Sequence, residues 1–245
     1  MIKKILKKIF FNKDDSYQDM IVEMDTNSEL LINTSSEYTF KSKLEMWTVV
    51  CCLRSIVNQK IDGDIVETGV WKGGTLILVK KILEDCNVKK KIIGFDTFEE
   101  GFQKPGELDK KIRYGFKENG NLYNKTFNYK KFETSSLTNT LSNIKKNCKD
   151  LEELYLIKGK IEDTLERENI KKISLLMLDT DYYESTKFAL EKLYDKVSQN
   201  GIIYIDDYGN WKGAKQAVDE FFKRKKINPF LIRTSSASRI FIKNI

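Results

Sequence analysis

The chain of 245 residues contains no histidine. That one absence removes Ser-His-Asp triads, histidine metal sites and imidazole acid-base chemistry together. Any catalysis falls to carboxylates, Lys, Tyr, Cys or a metal held by oxygen. Cysteine is scarce as well: Cys51, Cys52, Cys86 and Cys148 form no CxxC pair and two are adjacent. That pattern favours neither a zinc cluster nor a disulfide framework and fits reduced thiols in a cytoplasmic protein. With 2 prolines, 13 glycines and no Pro- or Ser-rich linker, a single domain is expected, a helical section over 1–60 packing on a core of 61–245. No uncharged apolar run approaches the roughly 18 residues that a membrane-spanning helix needs.

What is abundant is lysine, and the formal net charge is +7. In the N-terminal MIKKILKKIFFNK, Ile2, Ile5, Leu6, Ile9 and Phe10 recur at the spacing of one helix face. The pattern lacks the continuous apolar stretch of a signal peptide. It predicts a helix packed on the domain or on a second subunit of a homo-oligomer, with contact to an anionic membrane surface as the alternative. Lysines interleave with aromatics between residues 104 and 131, but lysine is spread along the whole chain, so no nucleic-acid partner is expected.

From residue 63 onward, strand-length apolar runs alternate with helical patterns. GDIVETGV, KIIGFDTF, LYLIKGK, ISLLMLDT and GIIYIDDY read as strands, with helices from about Thr75, over 137–147, from about Ser185 and over 212–226. Strands apolar on both faces and separated by helices predict an α/β fold: a mostly parallel, Rossmann-like sheet with helices on both faces. NPFLIRT and RIFIKNI, joined only by SSAS, predict a final antiparallel hairpin. That ending resembles class I methyltransferases, whereas a dehydrogenase would continue with parallel units. Ahead of the sheet, Leu44, Trp47, Val50, Leu53 and Val57 mark a helix over 42–60. Residues 101–134 break the rhythm and read as a lid or substrate loop, or else as a plain surface excursion.

Three constellations carry chemistry. DIVETGVWKGGT, residues 64–75, is a strand, a turn with three glycines and a helix start. Its spacing fails both the dinucleotide fingerprint and the Walker pattern. Glu67 at the strand end suits an ammonium group and would repel a pyrophosphate. In GFDTF, Asp96 closes the next strand where acidic residues accept hydrogen bonds from ribose hydroxyls, with a helix cap as the alternative. LDTDYY and IDDYG end two strands in aspartates, so Asp179, Asp206 and Asp207 can converge. Three clustered carboxylates call for a hard cation such as magnesium, unless some of them, or Ser185, cap the following helices. Asp163 in GKIEDTL is either a contact to an adenine amino group or a cap.

Together GDIVETGVWKGG, FDTFEEGF, the IEDTL segment, LDTDYYESTKFALEKLYDKVSQNGIIYIDDYGNWKGAKQAVDEFF and Tyr38-Thr39-Phe40 resemble the macrocin O-methyltransferase (TylF-type) family over residues 36–225. The resemblance implies S-adenosylmethionine as methyl donor and Mg2+ as cofactor. It places Glu67, Thr68, Gly69, Val70 and Trp71 around the methionine part, Asp96 and Thr97 at the ribose and Asp163 at the adenine, with Thr39 and Phe40 also among the cofactor-binding residues. Asp179, Asp206 and Asp207 would hold the metal, with Asp179 also the catalytic proton acceptor and Asp181 or Tyr182 assisting. The expected activity is metal-dependent O-methylation of a sugar, nucleotide-activated or part of a surface polysaccharide. An NAD-linked sugar-modifying enzyme and a non-catalytic RNA- or membrane-binding protein are the alternatives.

Overall fold

The structure is a computed structural model, and it describes residues 21–98, 105–110, 112 and 134–244, with the backbone of 117–118 and 121–122. The helix expected at residues 2–10 and most of the 101–134 loop lie outside the described residues.

Two helices come first, α1 (Thr26–Ser36) and α2 (Lys43–Asn58). Asp25 caps α1 by accepting from the Ser28 amide. Ser42 and Glu45 close a reciprocal capping box on α2, which fixes where that helix starts. The buried stripe of α2 runs through Met46, Val49, Val50, Leu53 and Ile56, while Leu44 is 47% exposed. Of the expected stripe, Trp47, Val50 and Leu53 are buried and Val57 packs against the core, while Leu44 does not, and the helix presents a wider apolar face than one residue per turn.

The alternating part follows as β1 (Asp64–Thr68), α3 (Gly74–Asp85), β2 (Ile92–Asp96), the short pair β3 (Lys117–Glu118) and β4 (Asn121–Leu122), and α4 (Leu137–Asn147). Next come β5 (Leu154–Lys158), the single-turn α5 (Ile161–Thr164), β6 (Ile173–Leu178), α6 (Tyr183–Leu193), β7 (Val197–Ile205) and α7 (Lys212–Lys225). The chain ends in β8 (Ile232–Arg233) and β9 (Arg239–Ile242). Seven strands form one sheet in the order β5-β2-β1-β6-β7-β9-β8. Pairing is parallel from β5 to β7, and β9 is antiparallel to both β7 and β8. This is the class I methyltransferase arrangement of a Rossmann-like sheet.

Alternate residues of each strand feed opposite faces, as the period of two requires. Ile65, Leu175, Met177, Ile202 and Tyr204 join α1, α2 and α3 in one buried cluster. Val66, Leu176, Leu178, Ile203 and Ile205 join α6 and α7 in the other. Every residue of β6 is buried, so this strand is covered on both sides and carries its C-terminal end to a fixed place. The strand order reverses between β1 and β6, and the crevice at such a switch point is where open α/β sheets bind ligands.

Candidate active site

At the switch point the backbones of the two strands continue to pair just past their ends. The Asp179 amide donates to the Thr68 carbonyl at 2.8 Å, and the Asp206 amide donates to the Leu178 carbonyl at 2.9 Å. This extra rung is what sets the aspartates after β6 and β7 side by side. Gly69 turns away beside them with φ of +88°, and a Cβ there would stand 1.7 Å from the Asp179 carbonyl oxygen. Only glycine allows that approach.

The turn after β1 is latched from two sides. The Asp96 Oδ2 atom accepts from the Val70 and Trp71 amides, both at 2.8 Å, and its Oδ1 accepts from the Phe98 amide at 2.8 Å. One acceptor direction remains on this carboxylate, so two ribose hydroxyls would have to share it or displace the turn. From the other side, α4 supplies the Thr140 hydroxyl to the Trp71 carbonyl at 2.7 Å and the Asn143 amide to the Lys72 carbonyl at 3.2 Å. Phe40 stacks on Trp71 with ring centroids 4.0 Å apart.

Asp179, Asp206 and Asp207 present carboxylate oxygens that all lie within 4.8 Å of one another. Burial pushes the Asp179 and Asp207 carboxyls well above the usual range, and the neighbouring aspartates push them further. A cation is already among them. Lys41, in the loop before α2, forms ion pairs with Asp179 and, at 3.0 Å, with the Asp206 Oδ1 atom. Its side chain is 3% exposed. Burial acts to lower its pKa, but Asp179 and Asp206 outweigh it and hold the ammonium well above an ordinary lysine. The donor set is all carboxylate oxygen, hard and anionic, which fits magnesium, manganese or calcium and no soft metal. The Asp206 Oδ1 atom is buried and has no hydrogen bond of good geometry among the described residues, so the Lys41 ammonium 3.0 Å away is the group that faces it.

One cavity of about 380 Å³ joins the two halves. Its walls include Thr39, Phe40, Thr68, Gly69, Val70, Trp71, Asp96 and Thr97 at one end and Asp179, Asp181, Tyr182, Asp206 and Asp207 at the other. Two expected residues are placed differently. Asp163 is exposed on α5 and does not line the cavity; its neighbours Ile161 and Glu162 do, because the single turn of helix points position 163 outward. Glu67 is 1% exposed beneath the turn, outside the cavity wall, with Oε2 lacking a hydrogen-bond partner among the described residues. Burial pushes its carboxyl up to about 8, against the pull of Lys41 and a hydrogen bond from Thr75. Burial thus favours its neutral form, where its strand-end position suggested an anion facing the ligand.

Neither Asp181 nor Ser185 caps α6. Asp181 has φ of 62°, a left-handed conformation that aspartate tolerates better than most residues. Its Oδ1 accepts from the Trp211 indole N–H at 2.7 Å, and its amide donates to the Asp207 Oδ2 atom at 3.2 Å. The amide of Tyr183, first residue of α6, is satisfied by the Oδ1 atom of Asp109 at 2.8 Å. The Asp109 Oδ2 atom also accepts from the Gly106 amide at 3.0 Å. Lys41 and Asp109 are the two residues that the sequence reading missed. Nothing distinguishes either one locally, since both act across long separations on strand-end loops.

A family model described as Macrocin-O-methyltransferase (TylF) matches residues 33–242. The chain belongs to this family. It is 30% identical over 174 residues to the demethyldecarbamoylnovobiocin O-methyltransferase of Streptomyces niveus, covering 69% of this chain and 62% of that protein. The chain thus spans less than two thirds of that relative's length. It is 26% identical over 237 residues to the 8-demethyl-8-(2,3-dimethoxy-alpha-L-rhamnosyl)-tetracenomycin-C 4'-O-methyltransferase of Streptomyces olivaceus, covering 93% and 85% of the two chains. Among solved structures, the O-methyltransferase NovP superposes with a TM-score of 0.73 at 27% identity, over 85% of this chain and 83% of that one.

Proposed function

We propose that this TylF-family protein transfers the methyl group of S-adenosylmethionine to a hydroxyl of a sugar, with a divalent cation held by Asp179, Asp206 and Asp207. The sugar is nucleotide-activated, part of a surface polysaccharide, or carried on a small glycoside. The observation that carries this reading is the cavity that links the glycine turn to the three carboxylates. Methyl transfer needs donor and acceptor in one enclosed space with the acceptor oxygen in line behind the methyl carbon. The rhamnosyl group and the 4'-O position in the name of the Streptomyces olivaceus relative support a sugar hydroxyl as acceptor.

In this reading Thr39, Phe40 and the turn from Thr68 to Trp71 hold the methionine part of the donor, with Asp96 and Thr97 at the ribose. The buried acid of Glu67 lies under the turn and ionises as a cationic group approaches above it. The donor supplies an electrophilic methyl carbon, whose C–S bond breaks with its electron pair going to sulfur as the O–C bond forms. A divalent cation would supply Lewis-acid polarisation and a fixed direction for neighbouring sugar hydroxyls. Asp179 serves as a ligand. The proton-accepting role expected of it passes in this reading to Asp181, because Asp179 is committed as a ligand. Asp181 stands on the same cavity wall, and Trp211 holds its carboxylate in place through Oδ1.

Calorimetry of the purified protein with S-adenosylhomocysteine, followed by methyl-transfer assays on sugar nucleotides and glycosides, tests the reading. Turnover should vanish with EDTA and return with Mg2+. Turnover that persists undiminished after complete metal removal sinks the metal assignment, and failure to bind S-adenosylhomocysteine sinks the donor.

A further inference from the structure

The feature that metal-assisted methyl transfer leaves unexplained is Lys41. A buried lysine side chain points at the oxygens that a metal would use. Its Nζ is ion-paired to Asp179 and lies 3.0 Å from Asp206 Oδ1, while Asp207 turns toward Asn210 and the Asp181 amide instead. The side chain enters from a loop tied down by its own backbone: the Lys41 amide donates to the Thr39 hydroxyl at 3.2 Å, and Ser42 opens the capping box of α2. The Lys41 ammonium also faces the Tyr204 ring, 5.6 Å from its centroid. The position is built into the fold, unlike a surface lysine that happens to reach inward.

A divalent cation sits about 2.0–2.6 Å from its carboxylate ligands. Bound to Asp179 and Asp206, it would come within a few ångströms of the present place of Nζ, where two positive charges shielded from water repel strongly. We propose that Lys41 is an internal counter-ion that competes with the divalent cation for Asp179 and Asp206, so that metal enters only as the ammonium swings aside. This rests on the reading of the three aspartates as metal ligands. Lysine suits the task because its charge is a point on a flexible four-carbon stem that can withdraw without unfolding the loop. In the metal-free protein it offsets the mutual repulsion of three carboxylates. With metal bound, the carboxylates are neutralised by the metal, and the ammonium is left without its partners. Metal affinity is then lower than the donor set alone would give.

The test is Mn2+ titration of the full chain, followed by the electron paramagnetic resonance of free Mn2+ and by thermal melting. Lys41→Met should bind Mn2+ about tenfold tighter or more than wild type. It should melt lower in EDTA and gain more from added Mn2+. Equal or weaker Mn2+ binding by Lys41→Met overturns the competition. Should Lys41→Met fail to fold, Lys41→Gln keeps a polar group of similar length and the same comparison applies. A measurement on the unmodified protein is independent of both: labelling of Lys41 by an amine reagent, read by peptide mass spectrometry, should rise several-fold with Mn2+. Labelling that is unchanged or lowered by bound Mn2+ overturns the proposal. If no variant binds Mn2+, the aspartate site itself fails and the competition falls with it, a result distinguishable because Asp207→Asn then changes nothing.

Discussion

The two ends of the cavity are built by different means. The end at β1 and β2 is made of backbone: a glycine turn, amides latched to Asp96, and a left-handed Gly69 pressed against the chain beyond β6. The end at β6 and β7 is made of side chains, four aspartates held by Lys41, Trp211 and the Asp181 amide. The glycine turn itself is specified by residues near one another in sequence, although its latches come from Asp96, Thr140 and Asn143. A side-chain site of buried charge needs partners from elsewhere, because unpaired carboxylates this close cannot all ionise.

The sharpest way to break the contrast is Gly69→Ala. The new methyl would collide with the Asp179 carbonyl and would have to hold a positive φ, so both ends are damaged at once. A loss of several kcal/mol in unfolding free energy is expected, on the order of overpacking plus backbone strain, read by denaturant melts. A variant as stable as wild type would show that the two ends are not in contact. Asp181→Asn comes next and concerns one end only. Methyl transfer should fall about 10²–10³-fold, as for loss of a general base, with S-adenosylhomocysteine affinity unchanged by calorimetry. A matching loss with Asp179→Asn would be uninformative about the base, since that residue is also a proposed ligand. Undiminished turnover by Asp181→Asn would return the base to Asp179.

This division also explains what could be read from the sequence. The strands, the hairpin and the glycine turn follow from periodicity and from GVWKGG, because local pattern and local structure agree there. The aspartate trio was legible because LDTDYY and IDDYG end adjacent strands. Lys41 lies 138 residues from Asp179, and Asp109 lies 74 residues from Tyr183. No spacing rule reaches that far, and one lysine among so many basic residues carries no mark. Glu67 misled for the opposite reason: its position at a strand end was right, but tertiary burial turned an expected anion into an acid.

Glu67→Gln sharpens the comparison at the backbone end. With its folded pKa raised to about 8, the carboxyl stabilises the protein below its ordinary range near 4.5, and this contribution is lost as pH rises toward 8. Wild-type stability should therefore decline across that window by a few kcal/mol more than that of Glu67→Gln, which binds no proton there. Parallel melting curves for the two proteins from pH 5 to 8 would mean that Glu67 is ionised in the folded state.

The smallest effect is expected at Asp109, and it separates the two ends most cleanly. This residue belongs to the described part of the long insertion and bonds to the Tyr183 amide and the Gly106 amide, tying 105–110 to the start of α6. Lys110 accepts through its carbonyl from the Lys212 amide at 2.9 Å, and the Ile112 amide donates to the Asn210 carbonyl at 2.8 Å, so the strap also holds the start of α7. A Cβ on Gly213 would stand 1.9 Å from the Asp109 Oδ1 atom, which marks how closely the carboxylate is fitted there. Asp109→Ala removes a helix cap and should cost about 1 kcal/mol in stability. Because α6 begins two residues after Asp181, the same change should raise KM for the acceptor while S-adenosylhomocysteine binding at the glycine turn stays as it was. Asp109→Asn, which keeps one acceptor oxygen for the Tyr183 amide, should recover most of both losses. If Asp109→Ala instead weakens donor binding and leaves acceptor KM alone, the insertion serves the backbone end, and the division between the two ends fails.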